Sequence, residues 1–253
     1  MWMLLHGFTG APESWDTVIE RADLDHRPLA PALLGHARGA GVAQASSFAD
    51  EVSRLAELAA TIEPPRLLCG YSLGARLGLG LLSEHPGLFD AAILIGVHPG
   101  LQGEAERRMR RARDASRARA LREEGLAAFV HAWEALPLFD SQRALSDRVL
   151  ADQRAIRMSH DAEGLARSLE ALGLAEMPSY GATFSSIHVP VTLMAGSRDE
   201  KFCELARSLA SDRPLVELLV VEGAGHNLLL EAPETVASAI DRVNRRGHEG
   251  AAS

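Results

Sequence analysis

The 253-residue sequence predicts an α/β fold, a mostly parallel sheet flanked by helices with a helical insertion, on three observations. Short apolar runs recur at both ends of the chain, at 1–5, 66–69, 91–96, 190–195 and 215–221, and each leads into a glycine-bearing loop. Helix-like stretches near 12–22, at about 48–62 and from Pro233 onward alternate with them. From about 100 to 180 no strand pattern occurs, and the segment reads as helical with Pro137, Gly164 and Gly173 as punctuation.

The first run, Met1-Trp2-Met3-Leu4-Leu5, opens directly into His6-Gly7-Phe8-Thr9-Gly10, a strand followed by a tight turn. A loop with Pro28, Pro31 and Gly35-His36 precedes the next helix. The run Arg66-Leu67-Leu68-Cys69 then meets Gly70-Tyr71-Ser72-Leu73-Gly74, a G-x-S-x-G pentapeptide ahead of helix-forming residues. A serine on such a strand-turn-helix corner has its hydroxyl lifted clear of the backbone, and a Cβ at either glycine would collide with a neighbouring element. Ser72 is therefore a candidate nucleophile.

An activated serine needs a base and a group that orients the base. Pro190-Val191-Thr192-Leu193-Met194-Ala195 runs into Gly196-Ser197-Arg198-Asp199, and the 215–221 run opens into Glu222-Gly223-Ala224-Gly225-His226-Asn227. Asp199 and His226 thus follow Ser72 in the order acid, then histidine, each where a strand ends, which is the edge of an open α/β sheet where ligands bind. Alone, each residue has a plainer role: a turn serine, an N-cap aspartate, a solvated loop histidine. Together they predict a Ser-His-Asp triad. The amides of Leu73 and Phe8 are the expected oxyanion donors.

The composition is that of an ordinary globule, with 47% hydrophobic and 24% charged residues, and the two ends must meet to assemble one site. The expected organisation is a core of 1–100 and 181–246, a helical lid at 101–180 and a disordered tail at 247–253. No apolar run of about 18 residues exists and no leader pattern opens the chain, so a cytoplasmic protein without membrane insertion is expected. Cys69 and Cys203 have neither metal-type nor redox-type spacing and read as packing residues. A net charge of −8 argues against nucleic acid as a partner. One stretch opposes that balance: Arg107, Arg108, Arg110, Arg111, Arg113, Arg117, Arg119 and Arg122 crowd a single predicted helix. Most belong on a solvated face. One or two directed into the site would hold carboxylates bidentately.

These residues resemble the α/β-hydrolase superfamily and, within it, the 2-succinyl-6-hydroxy-2,4-cyclohexadiene-1-carboxylate synthase (MenH) family of menaquinone biosynthesis. The matching stretches span most of the chain: His6 to Gly10, Gly70 to Arg76, His98-Pro99-Gly100-Leu101-Gln102, the arginine run after Ala105, Trp133 with Pro137-Leu138-Phe139, Arg198-Asp199-Glu200-Lys201-Phe202, and Gly223 to Asn227. The resemblance implies a lyase that expels pyruvate from a small polycarboxylate, with no metal and no organic cofactor. It implies Ser72, Asp199 and His226 as the triad and Tyr71, Arg76, Arg110, Trp133 and Arg157 as substrate-binding residues. Arg107 and Arg111 offer neighbouring registers for Arg110. A serine hydrolase acting on a carboxylated substrate is the alternative, and a noncatalytic binding module a third reading. One departure is visible: the resemblance implies two further strands ahead of the His6-Gly7-Phe8 strand, so either the sheet lacks its N-terminal edge strands, which would expose that edge, or the start of the chain is misplaced.

Overall fold

The computed structural model describes residues 1–36 and 46–251. Five parallel strands, β1 (Trp2–Leu5), β2 (Leu67–Tyr71), β3 (Ala91–Ile95), β4 (Val191–Gly196) and β5 (Val216–Val221), form one sheet in chain order. Parallel strands are buried on both faces, and this is why the runs read as continuously apolar. Alternation still divides them. Met3, Leu5, Leu68, Leu94 and Leu193 face helices α2 (Phe48–Ala60), α3 (Leu73–Glu84) and α8 (Glu200–Ala210). Trp2, Leu4, Cys69, Ile93 and Met194 face α1 (Asp16–Ile19) and α10 (Pro233–Ala251) on the other side.

Helix α2 begins where Ser47 accepts a hydrogen bond from the Asp50 amide. Helix α3 packs so closely on the sheet that a Cβ on Gly74 would lie 2.1 Å from the Leu5 carbonyl oxygen. Between β3 and β4 the described chain forms α4 (Glu104–Glu123), α5 (Gly125–Glu134), α6 (Asp147–Met158) and α7 (Ala162–Leu172). Helices α4, α5 and α7 share a small core of Ala118, Leu121, Phe129, Leu165 and Leu169, against which Phe8 and Trp133 pack. The short α9 (Leu228–Glu231) precedes α10.

Two expectations change. The outer edge of β1 is partly covered, because Leu29 accepts from the Leu4 amide and donates to the Trp2 carbonyl, each at 2.9 Å. The segment expected to be a disordered tail continues helix α10 through Ala251, since a helix already packed through Val236, Ile240 and Val243 gains one backbone hydrogen bond for each residue added. Ala252 and Ser253 lie outside the described residues. No described helix is long and apolar enough to cross a membrane.

Candidate active site

Ser72 sits between β2 and α3 with φ 51° and ψ −103°, a left-handed conformation that costs a non-glycine residue about 1–3 kcal/mol. The corner is held by the Ser72 amide donating to Ile95 and by the tight α3 contact at Gly74. His226 Nε2 lies 3.0 Å from Ser72 Oγ, and His226 Nδ1 donates to Asp199 Oδ2 at 2.6 Å. Asp199 does occupy the N-cap position of α8, but its carboxylate makes no capping bond and turns to the histidine instead. Room for the imidazole comes from Gly96, at φ 59°, where a Cβ would stand 2.9 Å from His226 Cε1. Three strand ends thus bring His226 within hydrogen-bond reach of both Ser72 and Asp199, the geometry an activated serine needs.

Leu73 is the first residue of α3, where a backbone N–H has no intrahelical acceptor. The Phe8 turn is fixed by the Gly10 amide donating to Gly7 at 3.0 Å, with Thr9 at φ 63°. Three buried histidines brace it from below. The Thr9 amide donates to His36 Nε2 at 3.1 Å, and the Thr9 carbonyl faces His160 Nε2 at 3.2 Å. His6 accepts from the Leu33 amide through Nε2, so its Nδ1 proton goes to the Gly7 carbonyl. Burial pushes the His6 pKa down to about 4 and holds His36 well below the ordinary value, with the neighbouring imidazoles adding to both shifts. Sequence reading left these histidines without a role, because the contacts join segments far apart in the chain.

Ser72 and His226 open into a cavity of about 400 Å³. Five cations line it, Arg76, Arg110, Arg113, Arg117 and Lys201, and no Asp or Glu is among its lining residues. Arg76 donates to the Leu172 carbonyl at 2.8 Å; burial and the nearby Arg110 press its pKa down to about 9, so it remains a cation at neutral pH. Arg110 and Arg117 are held by Asp114, a carboxylate buried in α4, at 2.7 and 3.6 Å. Arg117 also lies over the Trp133 ring, 5.0 Å from its centroid. The indole Nε1 of Trp133 and Oγ of Ser168, both from residues lining the cavity, are buried with no hydrogen-bond partner among the described residues.

Of the substrate-binding residues expected from sequence, Tyr71, Arg76, Arg110 and Trp133 line this cavity and Arg157 does not. Arg157 lies in α6 behind Tyr71 and Phe139, in an adjoining cavity of about 360 Å³. Glu134, 3.2 Å away, and the Phe139 ring, 5.3 Å away, account for its position. The alternative registers to Arg110 are otherwise engaged: Arg107 binds the carbonyls of Leu101, Ala175 and Met177, and Arg111 pairs with Glu176. Sequence reasoning missed Arg113 and Arg117, although their spacing of three and seven residues from Arg110 is the signature of one helix face. It also assigned no role to Lys201, two residues past Asp199. Among the described residues, no group of three or more His, Cys, Asp or Glu side chains is gathered as a metal site would require.

A family model described as alpha/beta hydrolase matches residues 3–239. The chain is 34% identical over 248 residues to the 2-succinyl-6-hydroxy-2,4-cyclohexadiene-1-carboxylate synthase of Salmonella newport (strain SL254), covering 96% of this chain and 93% of that protein. It is 32% identical over 249 residues to the synthase of the same name from Enterobacter sp. (strain 638), covering 96% and 92%. The solved structure of MenH from S. aureus superposes with a TM-score of 0.91 at 26% identity, over 98% of this chain and 94% of that one.

Proposed function

The chain belongs to the alpha/beta hydrolase family and, within it, to the 2-succinyl-6-hydroxy-2,4-cyclohexadiene-1-carboxylate synthases, and we propose from this that it is a carbon–oxygen lyase of menaquinone biosynthesis. It eliminates pyruvate from 2-succinyl-5-enolpyruvyl-6-hydroxy-3-cyclohexene-1-carboxylate to give 2-succinyl-6-hydroxy-2,4-cyclohexadiene-1-carboxylate. The observation that carries the reading is a serine–histidine pair at 3.0 Å opening into a cavity lined by five cations and no carboxylate. A substrate with several carboxylates would find each charge expensive to bury without such partners. A neutral ester would need none of them.

In the reaction, a proton on the substrate ring passes to Ser72 Oγ as His226 Nε2 takes the hydroxyl proton. Asp199 fixes the imidazole tautomer and stabilises the imidazolium that results. The electrons of the broken C2–H bond form the 2,3 double bond, and those of the existing 3,4 double bond shift to 4,5. The C5–O bond to the enolpyruvyl group breaks, its electron pair leaves as the enolate of pyruvate, and the proton held by the Ser72-His226 pair is returned to give pyruvate. No acyl-enzyme is required. The amides of Phe8 and Leu73, with Arg76 and Arg110, stabilise the charge that develops, while Tyr71 and Trp133 shape the wall. Segment 101–180 acts as the lid that brings its arginines over the ring. A polyanionic substrate does not cross membranes unaided, which fits a cytoplasmic enzyme.

The same serine–histidine distance would serve acyl transfer, so a serine hydrolase of small carboxylated esters is the second reading. The deciding experiment supplies the enolpyruvyl intermediate to the purified protein and follows pyruvate. Rapid release with no covalent adduct at Ser72 is expected. Failure to release pyruvate, together with fast ester hydrolysis and an acyl-Ser72 adduct, would overturn the lyase reading.

A further inference from the structure

We infer that His98 is a substrate-binding residue whose Nε2–H donates a hydrogen bond to a carboxylate oxygen of the substrate in the Ser72 cavity. The inference deepens the proposed function and rests on it for the identity of the ligand.

Three observations meet on this side chain. His98 follows β3 and lines the cavity beside Arg76, Arg110 and Lys201. Its Nδ1 accepts a hydrogen bond from the Gly100 amide at 3.1 Å, so the proton of the neutral ring is on Nε2. Among the described residues Nε2 has no hydrogen-bond partner. The turn that sets this tautomer is itself fixed. Gly100 has φ 101°, a Cβ there would stand 2.4 Å from the Pro178 carbonyl oxygen, and the Tyr180 amide donates to Pro99 at 2.7 Å. Rotating the ring would leave the Gly100 amide unsatisfied.

The surroundings also keep the ring uncharged. Burial, then Lys201, Arg76 and Arg110, press its pKa down to about 4. His98 is therefore an uncharged donor among cations. The guanidiniums supply charge and forked pairing to the carboxylates, and the fixed Nε2–H adds a neutral donor that selects where one further oxygen lies. Phe202 packs against both rings, 6.4 Å from His98 and 4.5 Å from the base His226.

Two substitutions separate binding from mere capping of the turn. His98→Gln puts an amide NH₂ close to where Nε2 lies. His98→Asn can still accept from Gly100 but stops short of the cavity. In pyruvate-release assays, and in calorimetric binding of tricarballylate, the Gln variant should stay within about 3-fold of wild type. The Asn variant should raise KM and Kd about 10-fold or more, with a smaller change in kcat. The reverse order, or two variants alike wild type, would overturn the inference. In wild type, long-range ¹H–¹⁵N spectra should show the Nε2–H tautomer and a shift of that signal on adding tricarballylate; the other tautomer, or no shift, would overturn it without any variant. A wild-type protein that binds tricarballylate through His98 yet releases no pyruvate would defeat the functional reading alone.

Discussion

Two cavities of similar size lie on either side of a wall made by Phe8, Tyr71 and Phe139, and their charges are opposite. One holds Ser72 and His226 and is lined by five cations without an acid. The other is lined by Glu13, Asp16 and Asp152 with the single buried Arg157. Volume does not distinguish them. Charge does, since a polyanion entering the second cavity would meet carboxylates at its mouth and only one guanidinium, already paired with Glu134. What separates the two cavities is therefore which side of an aromatic wall a cation falls on.

The comparison can be broken in several ways. Ser72→Ala should lower kcat for pyruvate release about 10³-fold or more, because the proton relay to His226 is lost. Retention of most activity would remove the first cavity from the chemistry.

Next in size is the contrast between two arginines. Arg76→Ala should cost about 10²-fold in kcat/KM for the polycarboxylate, the scale of an unpaired buried anion, whereas Arg157→Ala should cost less than about 5-fold. Equal losses would mean that substrate spans both cavities during turnover.

A third prediction concerns the wall itself, since Phe8 rests edge-on against His36 with ring centroids 5.4 Å apart. With the folded pKa of His6 at about 4 and an ordinary value of 6.5, the unfolded chain takes up the proton first as pH falls. Stability is fully present above pH 6.5 and is lost progressively between 6.5 and 4, by about 3 kcal/mol for this one group. Denaturant titrations across that range should show the loss, and His6→Gln should flatten it; an unchanged slope would refute the neutral-histidine brace. The smallest effect is expected from Asp152→Asn, which should leave kcat/KM within about 2-fold. A marked rise would show that the acidic cavity repels incoming substrate.

Much of the first cavity is legible in the sequence. Glycine at 70 and 74, and loops after strands at 199 and 226, are local demands of a sharp corner and of strand ends, so short motifs carry them. Arg76 was legible for the same reason, since four residues of α3 fix it relative to Ser72. Arg157 was not. A resemblance in sequence assigned it to the substrate, but Glu134 and Phe139, from separate elements, hold it behind the wall.

The sequence by itself determined the strands, the elbow, the order of the triad and a concentration of arginine in one helix, because each depends on residues near one another in the chain. Tertiary structure alone decided which guanidiniums face Ser72, which histidines brace the Phe8 turn, and that Leu29 covers the first strand. Those outcomes are contacts between segments separated by tens to more than a hundred residues. Burial, packing and shared hydrogen bonds select them only once the sheet and its helices have come together.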